Sequence, residues 1–168
     1  MRAEHLEDLQ AKMVGALPIL FSGRKEIHEE EIISRTAMEV SSSSAWIIEY
    51  FHEIRYKKES IKTLEGLKSA LSNILMWVSL SAQFMNITLP DVEEVEDLKE
   101  TWEEELRGCG ILSALSLQGS ASSLISSYYL EEEISSEESG EMVFDIVSAV
   151  AFIADRVDSN LKEIISRV

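Results

Sequence analysis

Three carboxylates, Glu138, Glu141 and Asp145, recur at i, i+3 and i+7 along a stretch with helical periodicity, so they share one helix face. Carboxylates so spaced, joined by one or two from a neighbouring helix, can hold Mg²⁺ while it keeps several waters. Such an ion neutralises phosphate charge and activates a water for hydrolysis. Acids are also favoured at the start of any helix by its dipole, and a solvated helix start accounts for the same residues. Asp145 differs from the other two because it stands between Phe144 and Ile146, beside an apolar seam.

Other reactive side chains carry weaker signals. His52 lies between Glu49 and Glu53, and His28 beside Glu29, Glu30 and Glu31, where an exposed helix face is the commoner reason for such neighbours. A nucleophilic serine needs a positioned base, and the spacing of His5, His28 and His52 supplies none. The runs Ser41-Ser42-Ser43-Ser44 and Gly119-Ser120-Ala121-Ser122 are expected to let helix backbones approach closely, each hydroxyl returning to its preceding turn. Trp46, Trp77 and Trp102 fall one to a helix and are expected as core anchors or interface residues. Arg55, Lys57, Lys58, Lys62 and Lys68 make the one basic stretch, suited to a phosphate or to the acidic segment 91–105 of a neighbouring subunit. The sequence holds no glycine-rich phosphate loop, CxxC pair or HExxH motif.

The elements that must position these residues are helices. Apolar residues recur at alternating spacings of four and three in three separate segments. These are Ile33 to Ile54 within a helix expected over 25–57, Leu64 to Met85 within 61–87, and Val143 to Val168. A first helix is expected over 3–16, ended by Pro18, and Ser60 is the expected cap of the third. Thr88-Leu89-Pro90-Asp91 starts a short acidic helix over 90–107, and Gly108-Cys109-Gly110 stops it. A helix over 111–131 follows, with Leu112, Leu115, Leu117, Leu124, Ile125 and Tyr128 as its apolar residues. The box Ser135-Ser136-Glu137-Glu138 starts the last helix near Ser136. That helix either runs to the end or breaks near Asp158-Ser159-Asn160. The reading is an all-α fold: an antiparallel bundle of five or six helices in a single helical domain spanning 1–168.

A weak internal repeat relates residues 36–87 to 113–165 as two similar helical hairpins. Ala37 to Phe51 aligns with Ala114 to Tyr128, and the long helices that follow end in Met85-Asn86 and Val157-Asp158. Residues 138–165, ESGEMVFDIVSAVAFIADRVDSNLKEII, resemble the second signature helix of MazG-type all-α nucleoside-triphosphate pyrophosphohydrolases. Residues 69–98 resemble the same element, with Ser69 and Asn73 where acids would stand. The resemblance implies an Mg²⁺-dependent site for nucleoside triphosphates. The family's other signature, two adjacent glutamates and a third three residues later on the preceding helix, is replaced by the two small-residue runs. It therefore implies a silent first copy and half a site in the second.

Thirty-one acids against fifteen bases give a formal charge of −16, which repels nucleic-acid phosphates and anionic lipid. The lone Cys109 forms no internal disulfide, and the charged N-terminus lacks the apolar run of a secretory signal, so a cytoplasmic setting is expected. Long apolar seams lead to the expectation of a homodimer. The expected function is that of a non-catalytic acidic bundle acting through oligomerisation or a protein partner. The alternative is an Mg²⁺-dependent MazG-like pyrophosphohydrolase, with Glu138, Glu141 and Asp145 as metal ligands.

Overall fold

The computed structural model describes residues 5–21, 27–57, 62–98, 110–129 and 136–168. Among them are seven helices, where five or six were expected, and no strand, so the fold is all-α as the periodicity predicts. No described helix is long and apolar enough to cross a membrane.

Helix α1 (Leu6–Leu20) buries Leu6, Leu9 and Met13 and runs through Pro18 instead of ending before it. Proline is tolerated because it falls in the last turn. The carbonyl that loses its donor belongs to Val14, which is 41% exposed and can turn to water. Helix α2 (Glu29–Lys57) opens on Glu29, Glu30 and Glu31, whose charges suit the positive end of the helix dipole. Helix α3 (Leu64–Phe84) is capped by Thr63, whose hydroxyl accepts from the Gly66 amide at 3.1 Å. The expected cap, Ser60, lies outside the described residues. Gly66 marks a close approach, since a Cβ there would stand 2.7 Å from the Trp46 ring.

Helix α4 (Val92–Leu98) uses Glu94 to accept from the Asp91 amide, half of a capping box. The rest of the predicted acidic helix, with Trp102, lies outside the described residues, as do Cys109 and Ser135. Helices α5 (Gly110–Tyr129) and α6 (Ser136–Asp155) start close to their expected positions. The chain then breaks, and α7 (Leu161–Ile165) begins under an Asn160 cap that accepts from the Glu163 amide at 2.8 Å. The break settles the choice the sequence left open, and it supplies the seventh helix.

Helices α3 and α6 form the centre. The first packs on α1, α2, α6 and α7; the second packs on α5, α3, α4 and α7. Residues 77–82 and 146–154 are buried without interruption, the pattern of helices covered all round. Helix α2 packs on both α3 and α5, so its buried positions double up as Ile32 with Ile33 and Ser43 with Ser44. Its predicted seam ends early, because Tyr50 turns inward to stack on Trp46 while Ile54 faces solvent. Leu64 and Leu115, also expected on seams, are exposed.

Of the serine run on α2, Ser43 and Ser44 are buried, while Ser42 is exposed. Ser44 returns its hydroxyl to the Val40 carbonyl at 2.7 Å. Thr36 reaches the Ile32 and Trp77 carbonyls and the Ser81 hydroxyl, stitching α2 to α3 inside the core. Ser72 bonds the Lys68 and Ile164 carbonyls, joining α3 to α7.

Helices α3 and α6 end alike. Asn86 and Asp158, 72 positions apart, both take the left-handed conformation, with φ of 55° and 53°. Beyond each, an amide bonds back five residues: Ile87 to the Ala82 carbonyl at 2.8 Å and Ser159 to the Ala154 carbonyl at 3.1 Å. This is the wide loop of a Schellman cap, and it turns both chains toward the opposite central helix. The segment leaving α3 leads to α4, which packs on α6; the segment leaving α6 leads to α7, which packs on α3.

Candidate functional site

The reciprocal crossing makes a cleft on each central helix. On α6 the cleft has a volume of about 510 Å³ and is lined by Gly140, Glu141, Phe144 and Asp145. Thr88, Leu89, Pro90 and Glu94 close it from the α4 side. Of the three acids singled out by the sequence, Glu141 and Asp145 face this cleft together. Glu138 is exposed and is not among its lining residues. Glu94 was legible only as one acid in a long acidic block. The Thr88-Leu89-Pro90-Asp91 helix start was the signal that placed it one turn into α4.

The electrostatics follow from the geometry. Desolvation of its carboxyl raises the pKa of Asp145 above the usual aspartate value, and the nearby Glu141 charge raises it further. The cleft therefore concentrates negative charge against an apolar wall. Among the described residues, no lysine or arginine lines it. Among the described residues, no group of three His, Cys, Asp or Glu side chains is placed to hold a metal ion. Mg²⁺ demands near-octahedral ligands at short range, and the described acids as placed form no such cage.

On α3 the corresponding cleft has a volume of about 250 Å³ and is lined by Ser69, Ser72, Asn73 and Met76. Ser69, Ser72 and Asn73 stand 72 positions before Glu141, Phe144 and Asp145. Arg167 and Val168, which follow α7, close this second cleft. Its polar side chains Asn73 and Arg167 are bonded to residues beside the cleft. Asn73 donates to Glu39 and to the Ser43 hydroxyl, both at 3.1 Å, and Arg35 pairs with Glu39 at 2.6 Å. Arg167 grips Glu65 with two nitrogens, at 2.8 and 3.4 Å, and reaches Glu163 at 3.3 Å. Lys68 also pairs with Glu163, at 2.6 Å, and Ser159 donates to the same carboxylate. Hydrogen bonds from Lys68 first, then Ser159, hold the Glu163 pKa down at about 2.

The remaining candidates are placed elsewhere. His52 leans on Tyr56 with ring centroids 4.8 Å apart, while Glu49 pairs with Lys62. Lys62 also covers the Trp46 ring at 4.5 Å. Lys62 and Lys68, expected within one basic stretch, are thus engaged by acids of their own chain on different elements. Trp77 is buried, edge-on to Phe21, in the core-anchor role expected of it. Comparison with family models, curated proteins and solved structures finds no match.

Proposed function

We propose that this chain is a non-catalytic, acidic helical bundle that acts by binding, built from two copies of one helical hairpin and related to MazG-type pyrophosphohydrolases in degenerate form. The observation that carries this reading is the network at Asn73. At the position where an acid would serve a metal, an amide side chain is committed to Glu39 and Ser43, and Glu39 is itself paired with Arg35. A cation entering there would have to displace bonds already made, with no second carboxylate to repay the loss. In the other copy, Glu141 and Asp145 are retained opposite a helix whose small-residue run brings serines in place of glutamates.

Binding then takes the form of a homodimer or of a protein partner in the cytoplasm. Nucleic acid and anionic lipid are disfavoured by the −16 charge. Met38 on α2 is 63% exposed and Leu115 on α5 is 49% exposed, at matching positions of the two hairpins. They offer a self-complementary apolar surface for a second copy.

One feature favours the hydrolase alternative: the acid pair facing a cleft of substrate size. Incubation with Mg²⁺ and a panel of nucleoside triphosphates, followed by pyrophosphate release, separates the two. The expected result is no turnover, with Asp145→Ala changing stability alone. Robust turnover abolished by Asp145→Ala would establish the hydrolase.

A further inference from the structure

We propose that the outer face of α2 is the docking surface for a second copy of this chain, with the two α2 helices antiparallel and the two-fold axis at Ser42. The inference rests on the reading that the chain acts by binding, and it fixes the partner and the register. It starts from one row of residues. Arg35, Met38, Ser42, Ala45 and Glu49 follow one another at spacings of three, four, three and four, so they line a single stripe along α2. All five are exposed, and Met38 is the one long apolar side chain among them. The row repeats the seam spacing of a packed helix, turned to solvent. Ser42 and Ala45 are small and leave a depression beside the Met38 knob, which lets a second helix come close.

Charge decides what covers this row. The chain carries −16, yet α2 has no charged residue between Glu39 and Glu49. Two acidic molecules approach with least repulsion along such a stretch. At its two ends the charges are opposite. Arg35 and Glu49 each stand seven positions, two helical turns, from Ser42. An antiparallel copy centred on Ser42 therefore sets Arg35 against the second copy's Glu49, and by symmetry does so twice. Met38 then falls beside the second copy's Ala45, knob against depression. A parallel pairing would oppose like charges at both ends and is disfavoured. Both charged groups are already positioned. Arg35, its side chain 51% exposed, is held by Glu39 at 2.6 Å and lies over the Trp77 ring at 5.9 Å. Glu49, its side chain 67% exposed, is held by Lys62 at 2.9 Å. Side chains fixed in this way lose little freedom on docking. In the second hairpin the positions aligned with Arg35 and Glu49 are Leu112 and Ser126, so the matching row at Leu115, Gly119 and Ser122 has no charges to set a register.

The test uses the full-length chain and an exchange of charges. Arg35→Glu sets a like charge against the second copy's Glu49, and Glu49→Arg does the same against Arg35. Each variant alone should dimerise about tenfold more weakly than the unaltered chain, or worse, with its helical circular dichroism retained. Mixed in equal amounts, the two variants restore opposite charges at both ends and should form a mixed dimer of nearly the original affinity. Sedimentation with one variant fluorescently labelled reads all three samples. Recovery on mixing is a result that a lost internal pair does not give, because Glu39 and Lys62 stay mispaired within each monomer. Independently of the charge variants, Ser42→Cys in a Cys109→Ser background should cross-link to itself under mild oxidation. Arg55→Cys in the same background, on the same helix but far from the axis, should not. A mixture that stays monomeric, or single variants that dimerise as well as the unaltered chain, overturns the proposal. So does a Ser42→Cys chain that remains uncross-linked, or an unaltered chain that is monomeric at every concentration. The non-catalytic reading fails on pyrophosphate release instead, so the two fail separately.

Discussion

At the scale of single residues, Glu163, beside the α3 cleft, and Asp145, in the α6 cleft, have opposite character, and their pH behaviour should differ in sign. Glu163 is held at about 2 by Lys68 and Ser159. A depressed carboxyl contributes stability above its unfolded pKa, and that contribution fades as pH falls from about 4.5 toward about 2. Asp145 is raised instead, by desolvation and by Glu141. A raised carboxyl favours the folded state while protonated and costs stability once pH climbs through its folded value. Glu163→Gln should therefore lower the urea midpoint at pH 7 and lose its effect as pH approaches about 2. Asp145→Asn should raise the midpoint at pH 7, by less than about 1 kcal/mol because the group is solvent-exposed, and gain nothing near pH 3. Urea titrations across this range check both. A lower midpoint for Asp145→Asn at pH 7 would mean that its charge serves the fold. An acid maintained at a cost to stability is better explained by something it binds.

At the scale of elements, the shared ends of α3 and α6 explain how the two clefts arise. Each central helix stops at a non-glycine residue in the left-handed region, Asn86 or Asp158, and each cap sends the next segment onto the other central helix. Asparagine and aspartate tolerate this conformation better than other non-glycine residues, though still at some cost. Asn86→Gly and Asp158→Gly should each be neutral to stabilising by up to about 1 kcal/mol, whereas alanine at either site should destabilise. Thermal melts of the four variants measure this. A large loss for either glycine variant would show that its side chain does more than accept the turn. The cap positions were legible in the sequence as Met85-Asn86 and Val157-Asp158, matching ends of two aligned segments. The direction of the turn was not, since φ at one residue decides it and side-chain pattern does not.

At the scale of the whole molecule, most of the long seams that led to the expectation of a dimer are covered within one chain. Val143, Val147, Val150 and Ala154 of α6 are buried, with Leu161 and Ile164 of α7 continuing the row. The seven described helices, two of them central, provide more internal surface than a small bundle with two long hairpins side by side. The proposed homodimer rests instead on the outward Met38 and Leu115. Sedimentation equilibrium should show a concentration-dependent dimer, and Met38→Lys with Leu115→Lys should shift it toward the 18.9 kDa monomer while the helical circular dichroism is retained. A monomer at every concentration for the unaltered chain would remove the dimer and leave a heterologous partner.

What the sequence alone determined is local and periodic. Four-three spacing, the scarcity of glycine and proline, and the start signals at Pro90 and Ser136 specify helices because each depends on neighbours within a turn or two. The same periodicity placed Glu141 and Asp145 on one face. Only the tertiary structure decided that Glu94 from α4 joins them, that Glu138 does not, and that Asn73 is bound by Glu39 across two helices. These relations depend on which elements pack together after the left-handed caps. That outcome is set by burial summed over the whole core, which no short stretch of sequence encodes.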